Sequence, residues 1–469
     1  MYGLNRGNVS VLLLVAIGLS GCGGSTETNE ENASNTNGTI PIESADGEQI
    51  ALERQEAIAQ EGLSIEVLSE QANTPITEEE RELANRLTQT HKARLAARSA
   101  GDYSFETPPA PPISRPGKLL NLPEASGPRF TVTDRQWPAS FGDASVSMWS
   151  KDKLAAFSLS IDDNHTQDHP FWFEMADEYG WNWTWFVIAN QVGYSSRDHW
   201  GHWQEALDSG HDIQTHTYSH LCDALFYTHR EYRQSQAVIN QNLDGAKVVA
   251  LAYPFGVHSN KAGSPCASLD TDRTANNRDE AAKHFLATRD VYGALSHPAR
   301  IDYMKVPSVS AARNFFDSSR PWAYFDSVFD STSSNWRTWY SAHFHGLYNE
   351  AQKDAVRDVL AHLKTREDDV WVGTFTAVAK YAQQFATAVL SDIQTTASSI
   401  SFTLTDQMND DWFDEPLTVK VRLPDGWTGF TVAASQNSES LPTQVVEYDG
   451  ANYILVEAIP DRGIVEINF

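Results

Sequence analysis

The sequence predicts an α/β domain followed by a C-terminal β-sandwich and preceded by a long, weakly structured N-terminal extension. Three observations lead there. From Ala155 to about Phe385, short apolar runs alternate with stretches of helical spacing, the rhythm of successive β/α units. From about Val389 the texture changes to short alternating runs separated by turns such as Pro424-Asp425-Gly426, the pattern of a small antiparallel sandwich. Before about residue 128 neither pattern holds. A chain of 469 residues suggests two or three domains, and 41% hydrophobic residues are enough for a core. The formal net charge of −27 excludes nucleic acid as a partner, because phosphate binding needs a basic surface.

Residues 1–22 read as a targeting signal. Arg6 gives a basic start, and Val9–Leu19 is an apolar run too short to span a bilayer. Leu19-Ser20-Gly21-Cys22 resembles a bacterial lipobox, which implies a lipid anchor on Cys22 and an envelope address, the outer membrane being favoured. An ordinary secretory signal is the alternative. Residues 23–48 are polar enough to form a disordered tether. Residues 49–104 carry helical spacing, with Thr77 and Glu80 placed to make a capping box. The Pro-rich stretch within 105–128 predicts an extended strap. The α/β domain is expected over 129–387 and the sandwich over 388–469. In an oxidising compartment Cys222 and Cys266 form a possible disulfide.

Within the α/β region, strands are expected at Ala156–Ile161, Trp183–Ile188, Asp212–Thr215, Val248–Ala252, Val291–Ala294, Thr338–Ala342 and Val370–Thr374, with a further strand-like piece at Phe130–Thr133. Several of these end in reactive groups. Phe157–Ile161 runs into Asp162-Asp163-Asn164-His165, and no core accepts two adjacent carboxylates unpaired. Asp212–Thr215 runs into His216-Thr-Tyr-Ser-His220; on a helix those two imidazoles would share one face, four residues apart. Two imidazoles and a carboxylate make an open metal site. Val248–Ala252 breaks into Tyr253-Pro254-Phe255-Gly256, whose aromatics are suited to line a cleft, although simple turn chemistry explains them as well. Trp339–Ala342 runs into His343-Phe344-His345-Gly346. Catalytic groups of β/α folds gather at the C-terminal ends of the strands, where all of these lie. Trp181, Trp183, Trp185, Trp200 and Trp203 crowd one segment; Trp200 and Trp203 are the candidates for stacking on sugar rings.

Taken together and in this order, these segments resemble the polysaccharide deacetylase family, the NodB-homology carbohydrate esterases. The resemblance implies a distorted (β/α) barrel that removes acetyl groups from an acetylated poly- or oligosaccharide with a divalent metal, zinc first, with cobalt or nickel able to substitute. It implies Asp162 as general base, Asp163, His216 and His220 as metal ligands, and His345 as catalytic acid with His343 as the alternative. Phe255 stands where the family's oxyanion-holding residue stands, beside Tyr253. His165 is additional and is expected to touch substrate or metal. Two departures are evident: Ala252 replaces the Arg that pairs with the base in the family, so another Arg or Lys is expected to do so, and Asp302 is only a weak match to the fourth motif. A non-catalytic carbohydrate-binding envelope lipoprotein on the same fold, or a hydrolase of a non-glycan amide or ester, are the competing readings.

Overall fold

A computed structural model describes residues 118–193, 198–220, 229–256, 277–291, 295–310, 323–427 and 432–469, together with Glu82, Arg86 and Gln89. Cys22, Cys222 and Cys266, the tether and nearly all of the expected helical extension lie outside the described residues. Among those described, no helix is long and apolar enough to cross a membrane.

After an edge strand β1 (Ala144–Val146), the chain builds a parallel sheet from β2 (Ala155–Asp162), β3 (Thr184–Val187), β4 (Asp212–Thr215), β5 (Ala250–Ala252), β6 (Ala287–Arg289), β7 (Val309–Ser310), β8 (Trp339–Phe344) and β9 (Val370–Val372). The order is β6-β5-β4-β3-β2-β8-β7, with β9 also pairing β2. The sheet curls until Tyr303–Val306 runs beside β6, where Val306 N donates to Thr288 O and Asp290 N to Val306 O. Three residues later the same segment becomes β7. This is the distorted β/α barrel expected.

Strand parity explains why β2 is the axis of the site. It has partners on both sides and is buried throughout, as a central parallel strand requires. Ala155, Phe157, Leu159 and Ile161 pack under the helical layer. That layer includes α1 (His169–Tyr179), α2 (Trp200–Asp208), α3 (Ser235–Asn242) and α4 (Glu350–Thr365). The alternate set, Ala156, Ser158, Ser160 and Asp162, faces the barrel interior. There Ser158 Oγ accepts from Trp339 Nε1 at 2.9 Å, and Ser160 Oγ donates to Ala342 O. Helix ends follow local chemistry: Gly180 closes α1 at φ 71°, and Asn349 caps α4 by accepting from Gln352 N. A fifth helix, α5 (Phe375–Thr387), is capped by Thr374.

The C-terminal part is two antiparallel sheets. One pairs β1 with β12 (Leu417–Arg422), β16 (Ala451–Ala458) and β15 (Thr443–Tyr448); the other runs β10 (Val389–Thr395), β11 (Ser399–Thr405), β17 (Ile464–Asn468), β13 (Ala433–Gln436) and β14 (Glu439–Leu441). β11 and β17 alternate in burial, as strands with one face in water do. β12 is almost wholly buried, because its sheet lies between the other sheet and the barrel: Tyr381 of α5 donates to Ser147 O and accepts from Thr418 N. The sandwich therefore recruits Ala144–Val146 from the segment expected to belong to the α/β domain.

One expected strand is corrected: Phe130–Thr133 is irregular. The strand expected at Val291–Ala294 lies, apart from Val291, outside the described residues; a strand not expected from the sequence stands just before it, at Ala287–Arg289.

The helical layer also buries a group of histidines. His211 Nδ1 accepts from Trp183 N at 3.1 Å, and burial pulls its pKa down to about 4; His202 is likewise lowered to about 4. The unfolded chain therefore takes up these protons first, and stability is lost as pH falls from about 6.5 towards 4. The His211→Asn variant keeps an acceptor for Trp183 but has no proton to take. Between pH 7 and pH 5 it is expected to lose about 2 kcal/mol less stability than the wild type. Urea unfolding at the two pH values checks this; equal losses would refute it.

Candidate active site

The site lies where β2, β4, β5, β6 and β8 end. β2 stops because Asp163 and Asn164 turn into the left-handed region, φ 67° and 54°. Asn164 secures that turn: its Oδ1 accepts from Ile188 N, and its Nδ2 donates to Ile188 O and to Asp198 Oδ2. Asp198 Oδ1 in turn accepts from Trp203 Nε1 at 2.8 Å. Trp203, expected as a sugar platform, is fully buried and committed to this bond; its indole is core, and the expectation is corrected. Trp200 is half-buried at the start of α2.

His216 and His220 are not on a helix. They lie in a loop with Thr217 at φ 66° and His220 at φ 60°, and the loop folds both imidazoles towards Asp163. His216 Nδ1 donates to Ala252 O at 2.8 Å, which leaves the lone pair on Nε2. Burial holds His216 well below the usual imidazole range, so it stays neutral. The two Nε2 atoms are 3.2 Å apart, and they lie 3.7 Å (His216) and 3.5 Å (His220) from Asp163 Oδ1. Tetrahedral ligands at 2.0–2.1 Å from zinc sit about 3.3 Å from one another. The three groups, all buried, therefore fit one divalent cation. A second convergent set, Asp406, Asp410 and Asp461, is already served by Lys118 Nζ, 2.7 Å from Asp461.

Asp162 sits beside the set, with Oδ2 3.9 Å from His216 Nε2. Burial raises its pKa, and the main opposing influence is Arg289, whose Nη2 is hydrogen-bonded to Oδ2. This is the cation whose place Ala252 had left open. Ala252 and Arg289 are direct register partners on the parallel pair β5–β6. The guanidinium extends across the barrel over the Phe186 ring, and Ala250, Ala252 and Ala287 are small enough to admit it. Arg289 escaped the sequence reading, although Ala-Thr-Arg-Asp carries the same signature as Ser-Ile-Asp-Asp, an apolar strand ending in charge.

The late histidines separate by environment. His345 Nε2 lies 3.6 Å from Asp163 Oδ2 and 4.0 Å from Asp162 Oδ2, and its side chain is 15% exposed, so it stands at the mouth. His343 is buried, and its Nδ1 is 2.8 Å from Ser308 Oγ; burial and nearby Arg289 hold it well below the usual imidazole range. His165, expected to touch substrate or metal, is not one of the convergent ligand groups. Its Nδ1 is 2.9 Å from Gln167 Nε2. It packs under Gly346, where an added Cβ would fall 2.7 Å from His165 Nδ1 and 2.9 Å from Tyr348 Cζ. Asp168, whose pKa burial pushes up to about 7, accepts from Leu347 N at 2.8 Å. The turn after the Asp pair thus braces the loop that carries His345.

Phe255 adopts φ 57° and sets its ring edge-on to His220, centroids 4.6 Å apart. Tyr253, expected beside the substrate, points the other way: it is buried, and its hydroxyl donates to Met304 O at 3.3 Å. Asp302 accepts from Arg278 and Met304 N on a separate turn, away from the Asp pair.

Residues 151–272 match the polysaccharide deacetylase family. Over that stretch the chain is similar to polysaccharide deacetylases. The match spans the Asp pair, His216, His220 and the Tyr-Pro-Phe-Gly turn; Arg289, His343 and His345 lie beyond it. The chain is 32% identical over 380 residues to a gellan lyase of a Bacillus species, an alignment that takes in 75% of this chain and 14% of that protein. It thus spans about a seventh of that relative's length. Among solved structures, a mutant of a peptidoglycan deacetylase from Bacillus subtilis aligns at 15% identity with a TM-score of 0.31, covering 49% of this chain and 93% of its own. A CE4 family pseudoenzyme from Bacillus anthracis aligns at 13% identity with a TM-score of 0.32, covering 49% of this chain and 66% of its own.

Proposed function

We propose that this chain is a metal-dependent hydrolase that removes acetyl groups from a glycan, held at the bacterial envelope by a lipid on Cys22. The observation that carries the activity is the convergence of Asp163, His216 and His220 with a carboxylate and a partly exposed imidazole beside them. Asp163, His216 and His220 would hold the cation, zinc first by donor type, with cobalt or nickel substituting. When bound, it would polarise an acyl carbonyl and make water acidic. Asp162, whose charged form Arg289 favours against burial, takes the proton from the attacking water. His345, at the mouth, gives a proton to the departing amine or alcohol. Phe255 N–H, in its left-handed turn, is the candidate donor to the developing oxyanion.

Ala252 is the feature that most favours a non-catalytic binding protein, and Arg289 beside Asp162 weighs against that reading. The test is acetate release by the purified protein from acetylated chitooligosaccharide, peptidoglycan, xylan and gellan, with and without chelator. At least one substrate is expected to release acetate, with loss on chelation and recovery with zinc. Turnover that survives complete metal removal would sink the mechanism. The mass of the N-terminal peptide of envelope-purified protein checks the Cys22 lipid.

A further inference from the structure

The loop that carries His216 and His220 is held in a costly shape. Thr217 and His220 both sit at positive φ, a region that residues with a Cβ adopt at a cost of order 1–3 kcal/mol each. Such a conformation persists only where neighbouring groups over-determine it. One bond within the loop is local: His220 N donates to Thr217 Oγ1 at 2.9 Å. The turn after β3 adds two backbone bonds, Ala189 N to Thr217 O at 3.2 Å and Asn190 N to Tyr218 O at 3.0 Å. Three more come from one residue on another element. Ser219, next to His220, donates its N–H to Glu231 Oε2 at 2.8 Å and its hydroxyl to Glu231 Oε1 at 3.0 Å. Tyr218 N donates to the Glu231 carbonyl at 3.1 Å. Glu231 is wholly buried and Ser219 nearly so. Bonds to a buried carboxylate are charge-assisted, and two to one neighbour set its position as well as its energy.

The element that presents Glu231 is unusual. His229–Gln234 is a π-helical turn that passes directly into α3. Such widened turns are rare and gather at functional sites. Here Ser235 Oγ donates to the Glu231 carbonyl at 2.7 Å alongside Tyr218 N, so that one carbonyl ties the turn to the loop.

We propose that Glu231 is a positioning residue that sets metal affinity at the Asp163–His216–His220 set, by locking Ser219 so that the two imidazoles meet the carboxylate. The inference rests on the metal reading given above. Groups that orient metal ligands typically alter affinity about 10–100-fold when replaced. The Glu231→Gln variant keeps the shape but turns an amide N–H towards one of the two Ser219 donors.

The test is a zinc titration of the metal-stripped full chain against a chromophoric chelator, with cobalt absorption spectra and metal-free melting curves alongside. Glu231→Gln is expected to weaken zinc binding about 10–100-fold and to change the cobalt spectrum, signatures that a residue serving folding alone would not move. Ser219→Ala keeps Glu231 and removes one of its bonds; a loss of about threefold to tenfold is expected. Wild-type affinity and spectrum in a folded Glu231→Gln variant would overturn the proposal. Should that variant not fold, Ser219→Ala decides: weakened binding supports the role, unchanged binding overturns it. A wild-type chain that takes up no zinc or cobalt would refute the metal reading itself, and this inference with it.

Discussion

The Asp162→Asn variant is expected to release acetate about 10²–10⁴-fold more slowly than the wild type, while still taking up metal. An amide of the same shape cannot accept the proton from water, whereas Asp163, His216 and His220 all remain. The site makes this a clean separation, because the three convergent ligand atoms belong to those residues, and Asp162 lies beside them. The measurement is kcat for acetate release with zinc affinity determined on the same preparation. Near-wild-type turnover would remove Asp162 from the role of base. Loss of zinc binding in parallel would make it a ligand instead.

The Arg289→Met variant is expected to lose about 3–5 kcal/mol of stability, because it leaves a buried carboxylate without its counter-charge. Both partners are almost wholly enclosed, Arg289 at 0% and Asp162 at 1% exposure. Burial already raises the Asp162 pKa, and Arg289 is the main influence opposing it. Without the guanidinium the carboxyl is pushed higher still, so the acid limb of the pH–rate profile should move to higher pH. The Asp162→Asn/Arg289→Met double variant should regain most of the lost stability, since neither charge is then stranded. Urea unfolding of the four proteins gives the coupling directly; additive losses would mean that the pair is not the unit described here.

The reactive ends of β2 and β4 were legible because each signature is compact. Asp162-Asp163 and His216-Thr-Tyr-Ser-His220 put the reactive side chains within a few residues of an apolar run, and that pattern survives without knowledge of neighbours. Their role at one end of a parallel barrel was legible for the same reason. Arg289 was passed over: its strand end carries a local signature, but the partner that makes it part of the site stands 127 residues away. Tyr253 and Trp203 misled in the opposite direction: aromatics near a motif look available, yet both hydrogen-bond inwards to Met304 O and Asp198. His165 next to the Asp pair was expected at substrate or metal; it is outside the convergent ligand set and packs beside Gly346 and Tyr348.

Sequence alone determined the alternation of strand and helix, the antiparallel sandwich and the types of group gathered at the strand ends, because periodicity and adjacency are properties of the chain itself. Tertiary structure decided which groups face one another. It brought Arg289 of β6 to Asp162, left His345 more exposed than His343, and shaped the imidazole pair with a loop and a distant carboxylate instead of a helix. Those outcomes depend on distances between segments far apart in sequence, and an ion pair or a ligand set exists only once folding has closed them.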